Sequence, residues 1–290
     1  MSTTKKVIFR ILIFLLVAIL VAISVFVGVF FTRFTTMSSI KKVSDYTDGY
    51  DLYTMRINYN YDLDKIIEMD LDNDEDIFNT IAKESLLLPI KVKTPSFGCT
   101  AFNLLGTDGN YRMGRNYDFS LDTSAMLVYC EPKDGYKSVA FAALDNVSAN
   151  QADSNIKQKM ASLTAPFVCL DGMNEKGVSI AVLVVDSTPV RQDTEKHNIF
   201  TTLAIRLVLD RAASTAEAVE LLKSYDMYAT AGKDYHFYVT DASGDGRIIE
   251  YDCESDTREL VATPVNVVTN FYTLYADKVL PNQRNDIYGH

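Results

Sequence analysis

The chain has 290 residues, 48% of them apolar, enough for one large domain with an appendage. Its net charge of −10 and sequence pI near 4.8 argue against nucleic-acid binding, which needs clustered Lys and Arg. No repeat or low-complexity tract interrupts it.

Lys5, Lys6 and Arg10 precede a charge-free run, Ile11 to Phe31, in which Ser24 is the one hydroxyl. These 21 residues suffice to cross a bilayer, which takes about 20. No Ala-x-Ala cleavage site or lipobox cysteine follows Phe31. The expectation is a cytoplasmic tail over 1–10, a signal anchor over 11–31 and the bulk of the chain outside the cytoplasm. Residues 32–98 read as a stalk and propeptide-like segment. Within it, Tyr53 to Tyr61 is strand-like and Asp64 to Leu88 has helical spacing, broken near Asp72-Asn73. Asp70, Asp72 and Asp74 imitate a calcium loop, but Glu75 stands where that loop needs glycine and Ile81 where it needs an acid.

From Gly98 the pattern becomes a sheet. Gly98-Cys99-Thr100-Ala101-Phe102 and Tyr111 to Phe119 flank Asp108-Gly109, a two-residue hairpin signal. Pairing Thr107 with Asn110 sets Cys99 opposite Asp118, with Arg115 on the same strand. A thiol beside a guanidinium and a carboxylate suggests an activated nucleophile, since a nearby cation favours thiolate. The competing account of Cys99 is a small core residue. Met126 to Cys130 and Lys137 to Ala143 read as strands, Gln151 to Met160 as a short helix, and Phe167 to Leu170 and Val178 to Val185 as apolar strands around Asp171-Gly172. Phe200 to Arg211 is helical, and Ser214-Thr215-Ala216-Glu217 is a capping box opening a second helix. Tyr235 to Thr240 and Arg247 to Tyr251 form a hairpin, and Val265 to Thr269 is the last strand. Asp241 to Gly246 imitates a calcium loop, but its β-like flanks make it a turn. Strands at both ends with helices between them predict an α+β fold. Cys130, Cys169 and Cys253 read as core, and no spacing suggests zinc, so neither a metal nor a cofactor is expected. Of the three histidines, His197 sits in a polar loop and His290 ends the chain. His236 is the one candidate partner for a Cys–His thiol protease, against the commoner role of a structural histidine.

Gly-Cys-Thr at 98–100, followed by Gly114-Arg115-Asn116-Tyr117-Asp118, resembles the choloylglycine hydrolases, or linear amide C–N hydrolases, a group of N-terminal nucleophile (Ntn) hydrolases. Gly172-Met173-Asn174-Glu175-Lys176-Gly177-Val178 is similar to the group's Gly-Met-Asn-Glu-Lys-Gly-Leu segment, and Val267-Val268-Thr269-Asn270 to its strand ending in Thr-Asn. The resemblance implies a four-layer αββα sandwich over 99–290, preceded by the single transmembrane helix. It also implies self-cleavage between Gly98 and Cys99, which frees an α-amine of pKa near 8 to take the thiol's proton. In that scheme Cys99 attacks a small-molecule amide, Asp118 orients the amine, Arg115 stabilises the thiolate and Asn270 contributes to the oxyanion hole. Asn116 and Asn174 would lie on the substrate side. Bile-salt-cleaving relatives carry an asparagine where this chain has Val184, which leaves the second oxyanion donor unassigned. Relatives also carry a basic site residue beyond a Tyr-Gly-like segment, whereas this chain stops at Tyr288-Gly289-His290, so a C-terminally truncated domain is the expectation. A non-catalytic, membrane-anchored scaffold that kept the fold is the competing reading from another class.

Overall fold

The computed structural model describes residues 3–45, 50–86, 97–119 and 123–281. Helix α1 (Thr3–Ser38) opens the chain, followed by strands β1 (Lys41–Asp45) and β2 (Asp51–Arg56) and helices α2 (Leu63–Glu68) and α3 (Asp74–Leu86). Next come β3 (Phe97–Leu105), β4 (Tyr111–Phe119), β5 (Ala125–Cys130), β6 (Ser138–Ala143), α4 (Ile156–Ser162), β7 (Cys169–Asn174) and β8 (Ser179–Val185). The remainder is β9 (Asn198–Phe200), α5 (Thr201–Arg211), α6 (Thr215–Lys223), β10 (Asp226–Tyr228), β11 (Asp234–Thr240), β12 (Gly246–Tyr251), β13 (Leu260–Pro264), β14 (Val267–Val268) and α7 (Ala276–Val279).

Two sheets carry the architecture. One has nine strands in the order β1-β2-β5-β6-β7-β8-β11-β12-β13, and the other has three, β14-β3-β4. Helix α5 packs across β7 and β8 and α6 across β11 and β12, while β3 lies against β8 on the opposite face. That stacking explains why every residue of β11 is buried, since a strand covered on both faces loses the in-out alternation. Phe237 and Val239 join the core under the helices. Tyr238, Leu183 and Ile248 join a second cluster between the sheets, together with Cys99, Ala101 and Val268. The fold is therefore α+β with two facing sheets, as expected.

Among the described residues, Val7–Ser38 is a helix long and apolar enough to cross a membrane, by length and composition only, and the window tested is not buried in the protein. Its last turns are anchored. Arg33 donates to the carbonyls of Ser85 (3.0 Å) and Glu84 (2.6 Å) and lies 4.9 Å over the Tyr59 ring. Thr36 is fully buried and its hydroxyl accepts from the Asn58 N–H at 2.9 Å. Within 32–98, expected as stalk and propeptide, the described residues 50–86 pack into the domain. β2 pairs in parallel with β5, and the chain after it packs Tyr59, Ile66, Ile77 and Ile81 into the main core. The acidic break near Asp72-Asn73 does separate two helices. Position 88, the end of the expected helix, and positions 288–290 lie outside the described residues.

Candidate active site

The site is built on the β3–β4 hairpin, whose register differs from the expected one by one residue. Gly106 N–H donates to Asn110 O at 2.8 Å and Gly109 N–H to Gly106 O at 3.0 Å, with Gly109 at φ +80°. This is a three-residue loop, a tight turn closed by a left-handed residue, rather than a two-residue turn. Glycine is suited to that third position because no Cβ opposes positive φ. The extra residue moves every pairing by one, so Gly98 faces Asp118, Cys99 faces Tyr117 and Ala101 faces Arg115.

That register sorts the expected site residues onto two faces. Cys99, Tyr117 and Arg115 share the buried face between the sheets, because directly opposed residues lie on the same side. Asp118 and Asn116 lie on the outer face, where Asn116 Nδ2 donates to Asp118 Oδ1 at 2.8 Å. Asp118 still borders the Gly98–Cys99 bond. A Cβ placed on Gly98 would stand 3.6 Å from Asp118 Cβ, 3.9 Å from its Oδ2 and 3.7 Å from Asn270 Oδ1.

Cys99 is held on all sides. Arg115 Nη2 donates to its Sγ at 3.3 Å and to Val182 O at 2.9 Å. The Cys99 N–H donates to Asn270 Oδ1 at 2.5 Å, and Thr269 Oγ1 donates to the Cys99 carbonyl at 3.0 Å. Asn270 Nδ2 donates to Val184 O at 2.7 Å, which ties β8 to the segment after β14. Burial pushes the Cys99 thiol up to about 11, against the pull of Arg115 and the Val184 N–H, while Asp118 and Asp171 add to the rise. In the unbroken chain the thiol is therefore protonated at neutral pH.

Asp171 is the residue that sequence reasoning passed over. The apolar runs on either side of Asp171-Gly172 suggest a tight turn there, yet Asp171 lies inside β7, and the turn falls at Gly177, at φ +85°. Its Oδ2 pairs with Arg115 Nη1 at 3.1 Å, with both side chains largely buried. Burial raises its pKa from the usual carboxylate range and Arg115 opposes the rise. The available signal was an acid within an apolar run. The Val184 N–H is a backbone donor that no side-chain pattern reveals.

Asn174 is not on the substrate side. Nδ2 donates to Leu209 O and Ala212 O, and Oδ1 accepts from Lys176 and Val178 N–H. With two donors and two acceptors engaged, its amide is spent on fastening the β7–β8 turn to the end of α5. His236 is buried and contacts Glu250 Oε1 at 3.2 Å through Nδ1. Glu250 also accepts from Thr273 and Leu274 N–H, three and four residues beyond Asn270. Cys130 lies in the core against Arg206 (3.3 Å), whereas Cys253, expected in the core, is exposed. Among the described residues no group of three His, Cys, Asp or Glu side chains is placed to hold a metal.

Two crystal structures of variants of the conjugated bile acid hydrolase from Clostridium perfringens are similar to this chain. Identities are 19% and 21% and TM-scores 0.43 and 0.44, with 65% of this chain covered in each case and 58% and 57% of those chains. Penicillin V acylase from Agrobacterium tumefaciens is similar at 20% identity and TM-score 0.36, over 68% of this chain and 52% of that one. The chain thus spans a little over half the length of these structures. No curated protein matches it. The sequence model of the linear amide C–N hydrolases, choloylglycine hydrolase family, matches residues 99–274, and the chain belongs to that family.

Proposed function

We propose that this protein hydrolyses linear, non-peptide amides with Cys99 as nucleophile, is activated by cleavage between Gly98 and Cys99, and is held at a membrane by α1. One observation carries the reading: a thiol following glycine lies 3.3 Å from a buried guanidinium, while its own N–H is held by Asn270. In the activating step Sγ adds to the Gly98 carbonyl carbon and the Gly98–Cys99 C–N bond breaks. The thiol proton passes to the departing nitrogen, leaving a thioester and a free α-amine on Cys99. Water then hydrolyses the thioester, giving a Gly98 carboxylate and restoring the thiol. Gly98 offers this addition little steric obstruction.

In turnover the α-amine, bordered by Asp118, accepts the thiol proton and Sγ attacks the amide carbonyl. The developing oxyanion takes hydrogen bonds from Asn270 Nδ2 and the Val184 N–H. The leaving amine departs with the proton held by the α-amine, and water cleaves the acyl thioester. Arg115 favours the thiolate throughout. No histidine enters this route, in keeping with the engagement of His236 with Glu250.

The full chain, extracted from membranes, tests the reading by intact mass and N-terminal sequencing. Wild type is expected to give two fragments, one beginning at Cys99, and to release amines from an amide panel of bile-salt conjugates, penicillin V, N-acyl amino acids and N-acyl homoserine lactones. Cys99→Ala is expected as one inactive chain. Amidase activity with Gly98–Cys99 intact, or an active Cys99→Ala, overturns the mechanism. For the anchor, the protein is expected to sediment with membranes and to withstand high-salt extraction; release by salt overturns it.

A further inference from the structure

A cavity of about 620 Å³ opens between the two sheets on the far side of Arg115 from Cys99. The hairpin register fixes that direction. From the Ala101–Arg115 pair, Cys99 and Tyr117 lie one way, while Asn103, Met113 and Tyr111, which line the cavity, lie the other. The nine-stranded sheet runs on beyond β4 here, and Leu127, Val139, Phe141 and Met173 form an apolar floor. Phe141 and Met173 remain 42% and 49% exposed at its surface. Large apolar side chains left open beside a concavity of this size are the usual mark of a ligand site.

The inner end adds a second, independent observation. Asn103 Oδ1, Thr240 Oγ1 and Arg115 Nε are buried and have no hydrogen-bond partner among the described residues. All three residues line the cavity, and each side chain is at least nine-tenths buried. Asn103 shares the inward face of β3 with Cys99 and Ala101, and Thr240 shares that of β11 with Tyr238, so the two approach from opposite sheets. Buried polar atoms without partners are rare, and with three in residues that line one cavity a small turn of each side chain offers them to an occupant. Asn103 Oδ1 needs a donor, Arg115 Nε–H needs an acceptor, and a hydroxyl accommodates either.

The guanidinium charges at the walls are already paired, and the one remaining carboxylate among the lining residues is engaged by nearby N–H and O–H donors. Arg115 pairs with Asp171 and Arg112 with Asp108, and Asp241 accepts from Thr215 N–H, Ser243 N–H and Ser243 Oγ. An anionic head buried here would be left without a counterion, which is costly, and the Asp241 carboxylate is already occupied by three donors. We propose that this cavity is a second ligand site, separate from the substrate position at Cys99. It takes a neutral amphiphile whose hydroxyl or amide head sits among Asn103, Thr240 and Arg115 and whose apolar body lies on Leu127, Val139, Phe141 and Met173. The site does not depend on Cys99 being the nucleophile.

The test uses the full-length Cys99→Ala chain in lipid nanodiscs, with empty nanodiscs as the partition control. The probe is 4-phenylbutan-1-ol, with 4-phenylbutanoate as its charged counterpart, read by ligand-observed saturation-transfer NMR. Saturable binding of the alcohol is expected with Kd on the order of 1 mM or tighter, a reasonable range for a ligand of this size, and the carboxylate should bind at least about fivefold more weakly. Thr240→Val, which keeps the shape and removes the hydroxyl, should weaken the alcohol at least about fivefold. Met173→Trp, filling the floor near the mouth, should abolish binding. Wild type alkylated at Cys99 should bind like the Ala variant. A signal no greater than that of empty nanodiscs, equal binding to the wild-type pocket and either folded variant, or loss of binding on alkylation overturns the proposal.

Discussion

Asp171 and Arg115 form a buried ion pair at 3.1 Å through Nη1, and Nη2 of the same guanidinium reaches Cys99 Sγ at 3.3 Å. The carboxylate fixes the direction in which the guanidinium points, so in the proposed mechanism Asp171 positions the group that faces Cys99.

Asp171→Asn keeps the shape and removes the charge. Amidase kcat is expected to fall about 10- to 100-fold, with KM changed less, because the guanidinium loses its orientation rather than the substrate its pocket. The pH–rate profile should shift with it. An unchanged kcat and profile would reduce Asp171 to a packing role.

Asn270 holds the Cys99 N–H and Val184 O together, so its loss should impair both cleavage and turnover. Asn270→Ala is expected to remain largely uncut and to lose about 100-fold or more in activity, the range for removing one oxyanion donor. Asp118→Asn should fold, because the carboxylate is exposed, yet lose activity as the α-amine loses its charged neighbour. Gel analysis of processing and amine release read both.

The thiol makes a pH-dependent prediction. In an uncut chain that keeps Cys99, burial holds the thiol near 11, above the free-thiol value of about 9. Thiolate is the reactive form, so alkylation by iodoacetamide should climb steadily from pH 7.5 and level off only near pH 11. Folded protein keeps this proton where the unfolded chain loses it, so Cys99 contributes stability below pH 9 that is lost as pH rises from 9 to 11. Processed protein, with its new ammonium beside the sulfur, should react at least tenfold faster at pH 7.5. Equal rates in cut and uncut protein would contradict activation through the amine.

His236 offers a structural control. His236→Asn should lower the melting temperature by several degrees, since it disturbs the Glu250 anchor beneath the Asn270 segment. Activity of the folded variant should stay within about tenfold of wild type. A thousandfold loss with the fold intact would favour a Cys–His protease.

Arg33 joins α1 to the domain through two carbonyls and the Tyr59 ring. Arg33→Ala is expected to cost about 1–3 kcal/mol of domain stability and to expose the end of α3 to protease. Thermal unfolding and limited proteolysis of the full-length protein measure it.

Which residues meet at this site was more legible in the sequence than how they are arranged. Gly98-Cys99, Arg115, Asp118 and Asn270 do converge, because a hairpin and a returning strand bring them together. The register was misread because Asp108-Gly109 signals a two-residue turn, and nothing local shows that Gly109 closes a three-residue one. Asn174 was misplaced because an amide within a motif looks the same whether it faces substrate or fastens a turn. The role of residues 41–56 was hidden for a different reason. A parallel pairing between β2 and β5 spans more than 70 positions, and no local pattern encodes so distant a partner.

That same pairing gives the proposed cleavage an unusual outcome. The strands β1 and β2 precede Cys99 in sequence yet complete one flank of the nine-stranded sheet whose other strands all follow it. Breaking the chain at Gly98 leaves every one of those rungs in place. The two pieces would remain a single folded body under native conditions and separate only in denaturant. The smaller piece, carrying the apolar helix, would stay bound to the larger by hydrogen bonds and core packing alone, so that a covalent cut at Gly98 would be silent until the fold itself is lost.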